Sequence, residues 1–390
     1  MDVPALVWGL TIVGIVGLLL FDFVFHVRKA HIPTLREAAI WSSIYVGIAI
    51  LFGIGVWWFG GATMGTEYFA GYVTEKALSV DNLFVFLIIM ASFAVPRADQ
   101  QKVLLFGIVF SLLARTGFIF LGAALINSFA WVFYIFGAIL IVTAVNLLRE
   151  DEDEEQTDNF MVKLAKRFFH TSEHYDGDKM FTYENGKRML TPMLLVMVAI
   201  GATDLLFALD SIPAIFGLTQ NTYIVFTATA FSLMGLRQLF FLIDGLLDRL
   251  VYLSYGLAII LGFIGVKLIL HALHENNLPF LNGGQPLPVF EISTGLSLVV
   301  IIGVLAVTVV ASLFSASGKA KSVSSAARKH AREAVDAELD ADTRAKNYEL
   351  LAVDEQRIKD LPDDKHGQEV REDTGLRELI EKAHQEHALR

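Results

Sequence analysis

The sequence predicts an all-α, polytopic membrane helix bundle of about nine transmembrane helices with an inverted repeat of three plus three helices. Three observations lead there. Apolar runs long enough to span a bilayer recur along the chain, basic residues fall in alternate connecting segments, and two acidic motifs of equal spacing lie inside apolar stretches. Of the 390 residues, 54% are hydrophobic and only 18% charged, and the charges gather at 150–188 and 318–390. What remains is too apolar for a soluble domain.

The runs lie near 3–26, 38–60, 67–94, 101–125, 128–149, 190–216, 220–243, 249–273 and 291–314. Met1-Asp2-Val3-Pro4 lacks the basic segment of a cleavable signal, so the first run is expected to persist as a helix. Arg28, Lys29 and Arg36 follow the first run, and Arg97 and Lys102 the third. Lys163, Lys166, Arg167, Lys179, Lys187 and Arg188 follow the fifth, and Arg249 the seventh. The segments around 60–66, 125–128, 217–222 and 274–290 hold no Lys or Arg, and the last is rich in Asn, Gly and Pro. The positive-inside rule then predicts a multi-pass protein of the cell (inner) membrane, N-terminus outside and C-terminus cytoplasmic. Trp41, Trp57, Trp58 and Trp131 are expected as interfacial anchors in the lipid bilayer.

The expected organisation is an N-terminal helix pair at 1–60, a first three-helix repeat at 61–149 and an acidic cytoplasmic loop at 150–189. A second repeat at 190–275, an outer loop and last span at 276–317 and a charged cytoplasmic tail at 318–390 complete it. The acidic run Glu150–Glu155 reads as a solvated linker. The tail, with few large apolar residues, reads as a solvated helical or disordered appendage. The absence of cysteine excludes disulfides, thiolate metal sites and cysteine nucleophiles. A formal net charge of −10 argues against nucleic acid as a partner.

The acidic motifs carry the chemistry. Glu75-Lys76-Ala77-Leu78-Ser79-Val80-Asp81-Asn82 opens one unit, and Asp204-Leu205-Leu206-Phe207-Ala208-Leu209-Asp210-Ser211 opens the other. Each sets a carboxylate, five residues and a second carboxylate before a side chain with an oxygen acceptor. A charge at bilayer depth costs about 2.5–3.5 kcal/mol on insertion scales, so four carboxylates there need a purpose, commonly cation binding or proton carriage. The likeness continues downstream. Phe110–Arg115 matches Phe231–Arg237 with the arginine one place late, and Val145-Asn146-Leu147 matches Val266-Lys267-Leu268. Units of three spans must lie in opposite orientations, as in alternating-access transporters that bind substrate at the repeat interface.

Residues six apart on a helix lie about 240° apart around the axis and about 9 Å along it. The two acids of a motif therefore either face different neighbours or flank an unwound stretch. Pro213 favours unwinding in the later motif, because it cannot donate to the Leu209 carbonyl. Packing the motifs together would gather Glu75, Asp81, Asp204, Asp210, the Asn82 amide, the Ser79 and Ser211 hydroxyls and that carbonyl. An all-oxygen shell suits a hard divalent cation: manganese, calcium or magnesium. It would repel an oxyanion such as tellurite. The alternative is that these acids form buried salt bridges with Lys76, Arg115, Arg237 or Lys267, with Lys76 snorkelling or balancing Glu75. Asp22 and His26 read as an interfacial pair, His271, His274 and Glu275 as scattered polar residues, and Asp244 as a partner of Arg249 or Arg237.

Thr74–Phe84, Phe207–Phe216 and Gly235-Leu236-Arg237 together resemble the TerC family, including its Alx-type members, within the lysine-exporter-like transporters. The resemblance covers roughly residues 15–275. It implies manganese export across the inner membrane, supply of manganese to exported enzymes and a historical link to tellurite resistance. By matching position it assigns metal handling to Glu75, Asp81, Asn82, Asp204 and Asp210. Ala77 stands where the family pattern has serine, and Thr229 where it has asparagine. The expected function is thus a non-enzymatic exporter of manganese as transported ion, with no cofactor and with proton coupling inferred from buried carboxylates. An accessory membrane protein docking secretion or insertion machinery is the alternative. An intramembrane aspartyl protease would need only one carboxyl dyad.

Overall fold

A computed structural model describes residues 3–24, 34–93, 95–129, 131–148, 179–184, 187–243, 250–276, 278, 281–335 and 341–388. The chain divides into two compact units, Met1–Leu242 with Ser254–Leu305, and Ile243–Leu253 with Ala306–Arg390. Its helices are α1 (Ala5–Asp22), α2 (Leu35–Ser92), α3 (Arg97–Ser128), α4 (Val132–Leu147), α5 (Pro192–Phe216), α6 (Thr222–Leu233) and α7 (Leu236–Ile243). They continue as α8 (Leu253–His274), α9 (Thr294–Phe314), α10 (Ala316–Val335), α11 (Ala341–Lys359), α12 (Lys365–Glu372) and α13 (Thr374–Ala388). Between α4 and α5 an antiparallel hairpin pairs β1 (Phe181–Glu184) with β2 (Lys187–Leu190), an element the sequence reading had not foreseen. Seven spans among the described residues are long and apolar enough to cross a membrane, counting α2 once, taking α6 and α7 together and leaving out the 16-residue α4.

The 58 residues of α2 do not form a rod. Gly61 has φ 88° and ψ 170°, a conformation essentially reserved for glycine. The chain doubles back there. A Cβ on Gly53 would lie 2.5 Å from the Phe69 ring, one on Gly65 would lie 2.7 Å from Trp57 Cβ, and Tyr68 donates to the Ala49 carbonyl at 3.0 Å. In a straight helix Ala49 and Tyr68 would be about 28 Å apart. The loop expected at 60–66 is therefore a one-residue hinge between two legs.

The second break falls where a continuous span was expected. Met234 is extended and Gly235 takes φ 76°, which separates α6 from α7 inside the run 220–243. By contrast α5 stays helical through Pro213, so the unwinding expected there does not occur. Neighbouring helix geometry is kept, and proline only withholds one donor from Leu209.

The core of the first unit forms around α6. Its window with α7 is 89% buried, against 11% for α1, which leaves α1's apolar side chains to face lipid. Tyr45, Tyr68 and Tyr72 from α2 pack there with Tyr223, Phe226 and Phe231 from α6. Asn221 caps α6, its side chain accepting from the Tyr223 and Ile224 backbone N–H groups at 3.1 and 3.5 Å. Glycines let α3 and α5 approach closely: a Cβ on Gly107 would meet Ile200 at 2.9 Å, and one on Gly201 would meet Phe110 at 3.0 Å.

The tail, expected as a solvated helical or disordered appendage, is helical and also carries a packed core. α10 to α13 bury Ala320, Ala327, Ala331, Leu351, Val370, Leu376 and Ala383 in one cluster. Alanine-rich faces allow close helix packing, so few large side chains are needed. Asp354 is buried between His330 Nδ1 at 2.6 Å and Arg357 Nη1 at 3.1 Å. The acidic run Glu150–Glu155, and with it His26, Arg28, Lys29, Lys163, Lys166, Arg167, Asp244 and Arg249, lie outside the described residues.

Two predictions concern these elements. Gly235→Ala imposes a positive φ on alanine and places a methyl 2.7 Å from Tyr45 Cβ, so it is expected to destabilise by about 1–3 kcal/mol. Gly262→Ala, whose methyl would sit 3.7 Å from Ala144 Cβ, is the neutral control in a detergent thermal melt. Asp373 accepts from the Leu376 N–H at 3.0 Å and binds Arg328. Burial alone would raise its carboxyl pKa; the Leu376 and Gly375 N–H groups and Arg328 outweigh burial and hold it below the ordinary carboxylate range. Its stabilisation is complete above about pH 4 and disappears as pH falls through the lower folded value. Asp373→Ala should cost about 1 kcal/mol at neutral pH, shrinking towards pH 3, read by hydrogen exchange in α13.

Candidate functional site

Helical spacing decides which motif residues meet. Glu75 and Asn82 on α2, and Asp204 and Ser211 on α5, are each seven apart, two turns of helix, and so share one face. These four converge, and they converge on a guanidinium. Arg115 of α3 is fully buried. Its Nη1 donates to Glu75 Oε1 and, at 3.1 Å, to Ser211 Oγ. Its Nε and Nη2 grip Asp204 at 3.4 and 3.0 Å, and Nη2 also reaches the Asn82 amide oxygen at 3.3 Å. That amide orientation is set by its surroundings, since the Asn82 nitrogen then donates to the Leu78 carbonyl at 3.1 Å. All five N–H groups of the guanidinium are used.

The charges in this clasp do not balance. With both acids ionised, one guanidinium faces two carboxylates, leaving a net −1 among groups at most 6% exposed. Such an excess in a low-dielectric interior attracts a further cation or a proton. Unsatisfied acceptors point the same way. Glu75 Oε2 and the hydroxyls of Ser79, Ser111, Thr229 and Ser232 are buried without a hydrogen-bond partner. Ser79 is one turn from Glu75, and Ser111 one turn from Arg115. Ser111 and Ser232 carry no site signal in the sequence, and Thr229 only its place where the family pattern has asparagine; hydroxyls in apolar helices usually bond back to their own backbone, as Thr74 and Thr227 do.

Asp81 and Asp210 stand six residues on from Glu75 and Asp204, about 240° around the helix axis from them. Both are partly buried, and Asp210 feels the Arg115 charge without being one of its hydrogen-bond acceptors. Leu209 is half-exposed and Pro213 buried. Among the described residues, no group of three or more His, Asp or Glu side chains is arranged to hold a metal ion.

Lys76 neither snorkels nor pairs with Glu75. Its ammonium donates to the Ser232 and Met234 carbonyls at 2.9 and 3.4 Å, the groups freed by the break between α6 and α7. Arg237 builds a second buried ionic centre. It grips Asp22 at 3.2 and 2.8 Å and donates to Gln101 at 2.5 Å, while Tyr45 and Gln238 donate to Asp22 at 3.0 and 2.8 Å. Asp22 is therefore a buried partner of Arg237 rather than an interfacial residue. Arg115 and Arg237 each end in a two-toothed grip on a carboxylate.

Lys267 lies elsewhere, donating to Ser297 at 3.2 Å in the wall of a cavity of about 490 Å³. Glu67, Thr219, Gln220, His271 and Glu291 also line it. His271 is tied to Glu291 at 3.1 Å and to Gln220 at 2.9 Å, so it belongs to an organised surface and not to a scattered loop end.

The integral membrane protein TerC family model matches residues 60–320. An uncharacterised membrane protein of Mycobacterium tuberculosis is 57% identical over 98% of both chains. One from Myxococcus xanthus is 41% identical over 67% of this chain and 82% of its own. The proposed membrane-bound redox modulator Alx of Escherichia coli is 38% identical over 68% of this chain and 86% of its own. No solved structure gives a significant match. With the family model covering most of the chain and the motif-bearing helices inside it, the chain belongs to the TerC family of integral membrane proteins.

Proposed function

We propose that the chain exports a divalent metal ion, manganese foremost, across the cytoplasmic membrane, with its N-terminus outside and its C-terminus in the cytoplasm. The observation that carries this reading is the convergence of Glu75, Asn82, Asp204 and Ser211 in the apolar interior with an uncompensated negative charge. Oxygen donors of this kind suit a hard cation. Asp81 and Asp210 sit on the same two helices as the further carboxylates a moving ion would use, and as groups that carry protons when the ion is absent. The cavity lined by Glu67, Glu291 and His271, which also touches Phe216 at the end of α5, would serve as a vestibule.

The name of the Alx relatives, redox modulator, has a physical counterpart here. With no cysteine in the chain, thiol–disulfide exchange is closed to it, so any redox effect would run through the transported metal. A link to tellurite resistance would be indirect for a similar reason, because the carboxylates repel an oxyanion.

Manganese uptake into inside-out membrane vesicles tests this reading. Asp81→Asn and Asp210→Asn are each expected to lose about tenfold or more of the wild-type rate. Normal rates in both, or no wild-type flux in vesicles containing folded protein, would transfer the function to docking of secretion machinery, with the separately packed second unit as its binding part.

A further inference from the structure

Resting on the transport reading, we infer that Arg115 is a tethered substitute for the transported ion. It would occupy the oxygen shell when the carrier is empty and leave it when the divalent cation binds. Arg115 holds the carboxylates of Glu75 and Asp204, the Asn82 amide oxygen and the Ser211 hydroxyl, which are the donors that a hard cation would take. Guanidinium and cation cannot share them. Both are positive, and the guanidinium already uses every one of its N–H groups there.

Two features make the clasp reversible. One arginine leaves a net −1, so a divalent ion has an electrostatic reason to displace it, gaining two charges where one stood. Acceptors for the displaced group lie at hand. Asp210 adjoins Ser211, which already accepts from Arg115, and the Ser111 hydroxyl, one turn away on the same helix face, has no partner. Glu75 Oε2 and Ser79 Oγ, one turn apart on α2, are buried without a hydrogen-bond partner, so oxygen atoms remain for a cation beside the clasp.

The transport cycle gives this arrangement its purpose. An exporter must return empty, and a return with bare carboxylates in the apolar interior costs several kcal/mol per charge. Arg115 neutralises part of that charge during the return. Without it, only the loaded carrier would reorient readily.

The test separates net transport from exchange. Inside-out vesicles containing wild type, Arg115→Gln or Arg115→Lys are assayed for net manganese uptake and for exchange of radioactive manganese with manganese on the other side. Arg115→Gln is expected to lose net uptake about tenfold or more while keeping exchange within about twofold of wild type, and Arg115→Lys to recover net uptake in part. Equilibrium manganese binding to the purified protein is the second readout, and Arg115→Gln is expected to bind about tenfold more tightly because its competitor is gone. Arg115→Gln that keeps full net uptake, loses both modes, or binds manganese no more tightly overturns the inference. Wild type without flux in either mode would instead refute the transport reading, while tighter binding in Arg115→Gln would still support competition for the shell.

Discussion

The buried grip of Arg115 on Glu75 and Asp204 is the constraint around which the rest of the first unit is arranged. Removing any one partner of a buried ionic cluster leaves an uncompensated charge and costs about 3–5 kcal/mol. The grip therefore fixes how α2, α3 and α5 face one another. The glycines at 107 and 201 let α3 and α5 come close enough for a planar guanidinium to reach both acids. Arg237 performs the parallel task for α1, α3 and α7 through Asp22 and Gln101. Two arginines thus tie most of the bundle's helices together by charge, in an interior where apolar side chains gain little by choosing one neighbour over another.

The backbone yields where function needs polar atoms. Gly61 folds α2 into a hairpin, and Gly235 opens the main chain between α6 and α7. The carbonyls exposed by the second break would be costly in lipid, and the Lys76 ammonium satisfies them. Lys76 is adjacent to Glu75 in sequence yet turned away from it, as neighbouring positions on a helix must be. One turn of α2 so serves two buried polar centres with opposite charges.

Much of this was legible in the sequence, and the rest was hidden for identifiable reasons. Long apolar runs and basic-residue alternation announce a helical membrane protein, and the equal spacing of the two motifs singles out Glu75, Asp81, Asp204 and Asp210. Spacing also held the information that seven-apart pairs share a face, so Glu75 with Asn82 and Asp204 with Ser211 were predictable companions. The occupant of the shell was legible only as one of four possible partners, Lys76, Arg115, Arg237 and Lys267, because Arg115 lies 40 residues from Glu75 and 89 from Asp204. Pro213 misled because a proline inside a packed helix can be absorbed without unwinding, while Gly235 next to Met234 carried the real break. The tail misled because an alanine-rich core resembles a solvated helix when only large apolar residues are counted.

In the proposed cycle the oxygen shell at Glu75, Asn82, Asp204 and Ser211 belongs in turn to Arg115 and to a divalent cation. The most direct measurement is a high-resolution cryo-electron-microscopy map of the full chain in lipid nanodiscs, with and without saturating manganese. Ion density is expected among those four side chains, with the Arg115 guanidinium withdrawn towards Asp210. Manganese bound elsewhere while the Arg115 clasp stays closed would contradict it.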